Sequence, residues 1–314
     1  MPVRIPEGLP AMGELAAENI FAMAKGRAIH QDIRPLRIAV LNLMPTKLVT
    51  ELQLLRLLGN TPLQVDVTLI RMESHESRNV SAEHLEAFYE PVGRVLRERF
   101  DGLVVTGAPV EELPFEEVDY WPEMAGLLDW SRTSVWSTLH ICWGAQAGLY
   151  RHFGIGKHKL PEKMFGLFAH RVLDARAPLV RGFDERFLAP HSRHTGIEAA
   201  DIEAAPGLRL LAASDEAGAY LAASEDGRMV FVTGHPEYDR LTLRAEYERD
   251  RAKGLPIAVP RNYYPDDDPS REPVMTWRSH AHLLYANWLN YHVYQATPFD
   301  LARLPETDTP FRGG

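Results

Sequence analysis

Apolar residues fall into short continuous runs separated by stretches with helical spacing. Leu36-Arg-Ile-Ala-Val-Leu-Asn-Leu43 reads as a buried strand. Pro45 opens a helical stretch through Leu58, closed by Gly59-Asn60. Leu63 to Ile70 alternates and is rich in Val, which predicts a second strand. Ser81 can cap the next helix, with Glu83 in its first turn and His84 where a capping box would want Glu or Gln. Pro91 should interrupt that helix before it resumes to about Arg99. Asp101-Gly-Leu-Val-Val-Thr-Gly107 is a third strand, residues 115–131 a helix, and Ser134 to Ile141 a fourth strand ending at Cys142. Trp143 to Phe153 can be helical.

After Gly154 the pattern changes. Residues 154–228 hold several short candidate strands separated by Pro, Gly and Asp. Met229-Val-Phe-Val-Thr-Gly234 restores a strong buried strand, followed by a charged helix from about Asp239 to Lys253. Residues 255–273 read as a loop and roughly 276–295 as a last helix. Residues 1–34 are weakly patterned, an N-terminal arm with a short helix near 12–25. The alternation of strands and helices predicts an α/β fold with a doubly wound, mostly parallel sheet and an antiparallel excursion over 154–228. One domain over 35–297, with 298–314 as a tail, fits better than two, because the strands before 150 and near 230 look like members of one sheet.

Composition narrows the class. The chain has 314 residues, 45% hydrophobic and 25% charged, which excludes a mostly disordered chain, a collagen or a coiled coil. The formal charge of −9, with no basic tract, argues against nucleic acid or an anionic membrane as partner. No apolar run approaches the roughly 18 residues of a spanning helix. The first residues carry Pro and acids where a signal peptide needs a continuous apolar stretch. Cys142 is the single cysteine, so no intrachain disulfide or multi-thiolate metal site can form, and the expected location is cytoplasmic.

That cysteine stands at the end of a buried strand and the start of a helix, in His140-Ile-Cys142-Trp-Gly144-Ala-Gln146. Ligand sites of open α/β sheets lie at the carboxyl ends of the strands. A helix N-terminus can lower a thiol pKa and hold a developing oxyanion. Gly144 allows the close packing that a sharp strand–turn–helix requires. A buried, inert cysteine is the alternative. Val232-Thr-Gly-His235-Pro-Glu237 again follows a buried strand. His235 there can serve as a base toward a thiol, with Glu237 orienting it; a capped or solvated histidine is the bland reading.

The elbow and His-Pro-Glu resemble the class I glutamine amidotransferase fold. The wider set is similar to the homoserine O-acyltransferases of methionine biosynthesis. It comprises Leu41-Asn-Leu-Met-Pro-Thr-Lys47, Val105-Thr-Gly-Ala-Pro109, Ile141-Cys-Trp-Gly144, Phe187-Leu-Ala-Pro-His-Ser192 and Gly234-His-Pro-Glu237, and the likeness runs over roughly residues 1–297. His140 stands where glutaminases usually have Gly, and no synthetase module is present to receive ammonia. No Gly-x-Ser-x-Gly elbow occurs, which excludes the serine mechanism of a separate group of homoserine acetyltransferases.

The resemblance implies an enzyme that moves an acyl group from acyl-coenzyme A to the hydroxyl of L-homoserine through an acyl-Cys142 thioester, by ping-pong kinetics. Cys142, His235 and Glu237 would be catalytic. The backbone N–H groups of Trp143 and of the Gly107–Val110 loop (Val110 being the position assigned) would hold the oxyanion. Arg249 would take the homoserine carboxylate, Lys163 and Ser192 would contact substrate, and Lys47 could meet the coenzyme A phosphates. In the family, Glu111 goes with acetyl donors and a glycine there with succinyl donors. A fixed carboxylate would also repel and displace a succinyl tail. The expected donor is therefore acetyl-coenzyme A, with succinyl transfer and, more remotely, a class I glutaminase or amidase as alternatives. A non-catalytic protein that kept the fold is a further one. No permanently bound cofactor or metal is expected, and a homodimer is.

Other signals carry less. His191-Ser-Arg-His194 and His280-Ala-His282 lack a third metal ligand. Gly154-Ile-Gly156-Lys lacks the spacing of a phosphate loop. The aromatic-rich last helix reads as core or a subunit contact.

Overall fold

A computed structural model describes residues 3–6, 8–17, 22–24, 34–75 and 79–304. The strands are β1 (Val3–Ile5), β2 (Ala22–Ala24), β3 (Leu36–Leu41), β4 (Val65–Arg71), β5 (Tyr89–Pro91), β6 (Phe100–Val105), β7 (Val135–Ile141), β8 (His158–Val172), β9 (Arg186–Gly196), β10 (Leu208–Ser214), β11 (Gly218–Ser224) and β12 (Met229–Val232). Among the described residues these form one sheet, ordered β2-β1-β4-β3-β6-β7-β12-β11-β10-β8-β9, with β5 on β4. Neighbours from β2 to β12 are parallel, and those from β12 to β9 antiparallel. The fold class matches the expectation from strand–helix alternation.

Successive residues of the central strands feed two different cores. Ile38 and Val40 of β3 pack with Leu54, Leu58 and Trp288 on one face. Ala39 and Leu41 pack with Leu127, Leu128 and Trp143 on the other. A sheet covered on both faces explains why β3 and β6 read as continuous apolar runs rather than alternations. Truncating one such residue, for example Leu139 to Ala, would cost about 2–5 kcal/mol.

Most of the helices that cover the sheet begin within a few residues of their expected places, but the one expected over 115–131 begins only at Trp121, and Ala199–Ala204 falls in the stretch 154–228, whose pattern predicts only strands. The helices are Ala11–Ala17, Lys47–Leu58, Ala82–Phe88, Val92–Val95, Trp121–Ser134, Trp143–Phe153, Ala199–Ala204, Thr242–Ala252 and Arg278–Asn287. Ser81 caps its helix, accepting from the His84 N–H at 3.2 Å. At Pro91 the helix is not merely interrupted: it ends at Phe88, and Tyr89–Pro91 is a short strand on β4. The last helix passes at Trp288 into a π-helical segment through Tyr294. Among the described residues no helix is long and apolar enough to cross a membrane.

Two expectations are corrected. The helix expected near 12–25 spans only Ala11–Ala17, because Ala22–Ala24 is a strand paired with Val3–Ile5 at the edge of the sheet. Residues 18–21 and 25–33 lie outside the described residues, as do 305–314 of the tail. The strands expected in 154–228 are not all short: β8 and β9 are long and pair as a ribbon. Pro161 sits within β8, where the register shifts between Lys159 and Met164. A bulge absorbs a proline that sequence pattern reads as a strand end.

Candidate active site

Cys142 joins β7 to the helix Trp143–Phe153. Its N–H continues the parallel ladder to the Val232 carbonyl at 2.7 Å, and its own carbonyl accepts from Gln146 at 3.1 Å. The turn between these two bonds is tight: Cys142 has φ 49° and ψ −114°, a positive φ uncommon for a residue with a Cβ. Gly144 makes that turn possible. A Cβ there would lie 2.7 Å from the Thr106 carbonyl oxygen and 2.8 Å from that of Val105. The helix start is thereby pressed against the end of β6, and its first N–H groups have no intrahelical acceptor.

The second strand end arrives from β12. The His235 N–H bonds the Pro190 carbonyl at 2.8 Å, and its ring stacks on Tyr238 with centroids 4.1 Å apart. Nδ1 faces Glu237 Oε1 at 2.7 Å. Cys142 lies close beside the imidazole, near enough to act on its charge. All three side chains are buried. Burial opposes charge on His235, yet the neighbouring charges of Cys142 and Glu237 outweigh it and hold the imidazole well above the usual histidine range. Gly107 closes the third side: a Cβ there would lie 3.2 Å from His235 Cε1 and 3.3 Å from Cys142 Cβ.

A polar cluster gathers on the helix after His-Pro-Glu. Glu246 Oε1 accepts from Lys163 Nζ at 2.8 Å and from Ser192 Oγ at 2.7 Å, with Arg249 Nη2 at 3.9 Å. Arg249 is bidentate on Asp250, at 2.6 and 3.0 Å. Lys163 from β8, Ser192 from β9 and Arg249 from the helix thus meet, although they are far apart in sequence.

The comparisons with known proteins decide the family. A profile of the homoserine O-succinyltransferase family matches residues 2–299. The chain belongs to this family. It is 61% identical over 301 residues to a homoserine O-acetyltransferase of Brevibacillus brevis, covering 96% of this chain and 98% of that protein. It is 58% identical over 304 residues to a homoserine O-acetyltransferase of Acetivibrio thermocellus, covering 97% and 100%. Among solved structures, a glutamine amidotransferase from Methylobacillus flagellatus superposes with TM-score 0.53 at 13% identity, covering 82% of this chain and 95% of that one. That likeness is one of fold.

In this family member Glu111 lies near the same site, close enough for His235 to act on its charge. Thr195 Oγ1 is 3.4 Å from its Oε2. Burial raises the Glu111 pKa above the usual carboxylate value, against His194, His235 and Arg193. Lys47 is not a surface cation. It is buried, 2.5 Å from the Asn42 carbonyl, and burial lowers its pKa to about 8. With Met44, Pro109 and Val110 it lines a cavity of about 360 Å³. Met44 Sδ is also among the atoms nearest a Cβ on Gly107, so the cavity adjoins the thiol.

Four residues near the site were missed by sequence reasoning. Arg193, Thr195 and Gln146 are buried together. Lys157 holds the 111–113 loop by donating to the Glu111 and Leu113 carbonyls at 2.5 and 2.6 Å. Gln146 and Lys157 stand inside motifs that drew attention for other residues. Arg193 stands beside histidines weighed only as metal ligands; His191 in fact faces His170 at 3.1 Å and accepts from Arg193 at 3.2 Å.

Proposed function

We propose that this protein transfers an acetyl group from acetyl-coenzyme A to the hydroxyl of L-homoserine, giving O-acetyl-L-homoserine and coenzyme A, in methionine biosynthesis in the cytoplasm. The observation that carries the reading is the buried line Cys142–His235–Glu237 at two adjacent strand ends. The near-full-length relatives named homoserine O-acetyltransferase support the choice of substrates.

His235 takes the proton of Cys142, and the thiolate attacks the thioester carbonyl. The N–H of Trp143, with one from the Gly107–Val110 loop, holds the oxyanion. Collapse expels coenzyme A, which takes the proton from His235, and leaves the acetyl group on Cys142. The homoserine hydroxyl then gives its proton to His235 and attacks the acetyl carbonyl. O-Acetylhomoserine leaves, and the thiol recovers its proton from His235. Glu237 keeps the imidazole oriented throughout.

Arg249 takes the homoserine carboxylate, with Lys163 and Ser192 completing that end of the site. The cavity lined by Met44, Pro109 and Val110 serves the donor, with Lys47 buried in its wall. Glu111 selects the donor by occupying the space of a longer acyl chain, and by repulsion whenever both carboxylates are charged. The test is release of coenzyme A by the purified protein with L-homoserine. Fast release with acetyl- but not succinyl-coenzyme A is expected. Fast release with succinyl alone would keep the chemistry and reject the role of Glu111. Absence of homoserine-dependent release with either donor would reject the transferase reading.

A further inference from the structure

The Glu111 side chain is held from a strand on the other side of the site. Thr195 near the end of β9 contacts Glu111 Oε2 at 3.4 Å and Gln146 Oε1 at 2.9 Å through one hydroxyl. Gln146 is fixed in orientation, because its Nε2 donates to the Thr195 carbonyl at 3.3 Å. Reversing the amide would set two oxygens against each other. Arg193 Nη1 donates to the same carbonyl at 2.6 Å and Nη2 to the Ala217 carbonyl at 2.6 Å. Thr195, Gln146 and Arg193 are all nearly inaccessible, at 4%, 1% and 2% exposure. Gln146 lies on the helix that Cys142 begins. The hydroxyl facing Glu111 is therefore registered to the nucleophile helix rather than to the loop that carries Glu111.

We propose that Thr195 is a positioning residue for donor selection: its hydroxyl, braced by Gln146 and Arg193, keeps the Glu111 carboxyl in the space that a longer acyl chain would need. The proposal rests on the reading of Glu111 given above. A loop carboxylate without such an anchor could swing aside, and an acidic donor tail would then be admitted. One hydroxyl proton serves both acceptors in turn, so the anchor is a positional restraint more than a strong bond.

The test compares kcat/KM for acetyl- and succinyl-coenzyme A in the wild-type protein, Thr195→Val, Thr195→Ser and Glu111→Gly, with the homoserine KM measured alongside. Thr195→Val keeps the shape and removes the hydroxyl. It should lower the acetyl-to-succinyl preference about fivefold, as loss of one modest hydrogen bond would. Thr195→Ser should restore the preference. A hydroxyl that only satisfies its buried neighbours would not move the donor ratio. If Thr195→Val fails to fold, Thr195→Ala reads the same contact. A wild-type ratio in the Thr195 variants, with Glu111→Gly shifting it, overturns the positioning role. An unchanged ratio in Glu111→Gly overturns the reading of Glu111 and this proposal with it.

Discussion

His235 Nδ1 lies 2.7 Å from Glu237 Oε1, and both groups are buried two residues apart on one turn. In the proposed mechanism the carboxylate would fix which ring nitrogen is left for Cys142 and stabilise the imidazolium of each half-reaction. Glu237→Gln keeps the shape and removes the charge. It should lower kcat by about 10²–10⁴-fold with the homoserine KM little changed. A variant with wild-type kcat would remove Glu237 from the mechanism.

The raised pKa of His235 depends on its neighbours. Burial alone would lower it, and the Cys142 charge is the first influence opposing burial. In Cys142→Ala the imidazole should titrate at lower pH than in the wild-type protein, as followed by NMR of labelled histidine. Turnover should be abolished in the same variant. An unchanged titration would mean that thiol and imidazole do not interact.

Lys47 allows a stability test with a definite sign. Its folded pKa of about 8 lies below the ordinary lysine value of 10.5. Between those values the unfolded chain binds more protons, so stability rises with pH. Below pH 8 the full cost of burying the charge is present. The wild-type protein should therefore gain stability relative to Lys47→Met as pH rises from 8 to 10.5, by up to about 3 kcal/mol. Denaturant unfolding of both proteins across that range checks it, and parallel curves would contradict the lowered pKa.

Arg249 reaches its place beside Glu246 while paired to Asp250, so its guanidinium is oriented before substrate arrives. Arg249→Ala should raise the homoserine KM on the order of 10²-fold. Acetyl-coenzyme A should still acylate Cys142, seen as an acetyl mass increment on the intact protein. Loss of acylation would place Arg249 in the donor half-reaction.

Gly144→Ala tests the elbow. The added Cβ would lie 2.7 Å from a backbone oxygen, which cannot rotate away as a side chain could. The variant should lose about 1–3 kcal/mol of stability, with activity falling further as the thiol moves off the His235 line. A thermal melt and an activity assay on the same sample separate the two. A variant with normal Tm and turnover would show that the turn tolerates a side chain.

Much of the site was legible because it lies along strands that are buried on both faces. Such strands read as apolar runs, and the residues just after them, Cys142 and His235, fall at the carboxyl edge of the sheet whatever the loops do. Glu237 follows within the same turn. Lys163 and Ser192 rest on family likeness alone, since their meeting depends on β8 and β9 pairing as a long ribbon that Pro161 hides from pattern reading. In the sequence Lys47 reads as a cation able to meet phosphates, and only packing shows it withdrawn beneath Asn42.

The sequence by itself determined the doubly wound sheet and the place of Cys142 and His235 at its carboxyl edge, because hydrophobic periodicity and strand–helix alternation are local and repeat along the chain. Tertiary structure alone decided the company each group keeps. Glu111 meets Thr195, whose hydroxyl also bonds Gln146, and Glu246 gathers Lys163 and Ser192. Those contacts join residues tens of positions apart through single side-chain atoms, and no periodicity in the chain encodes them.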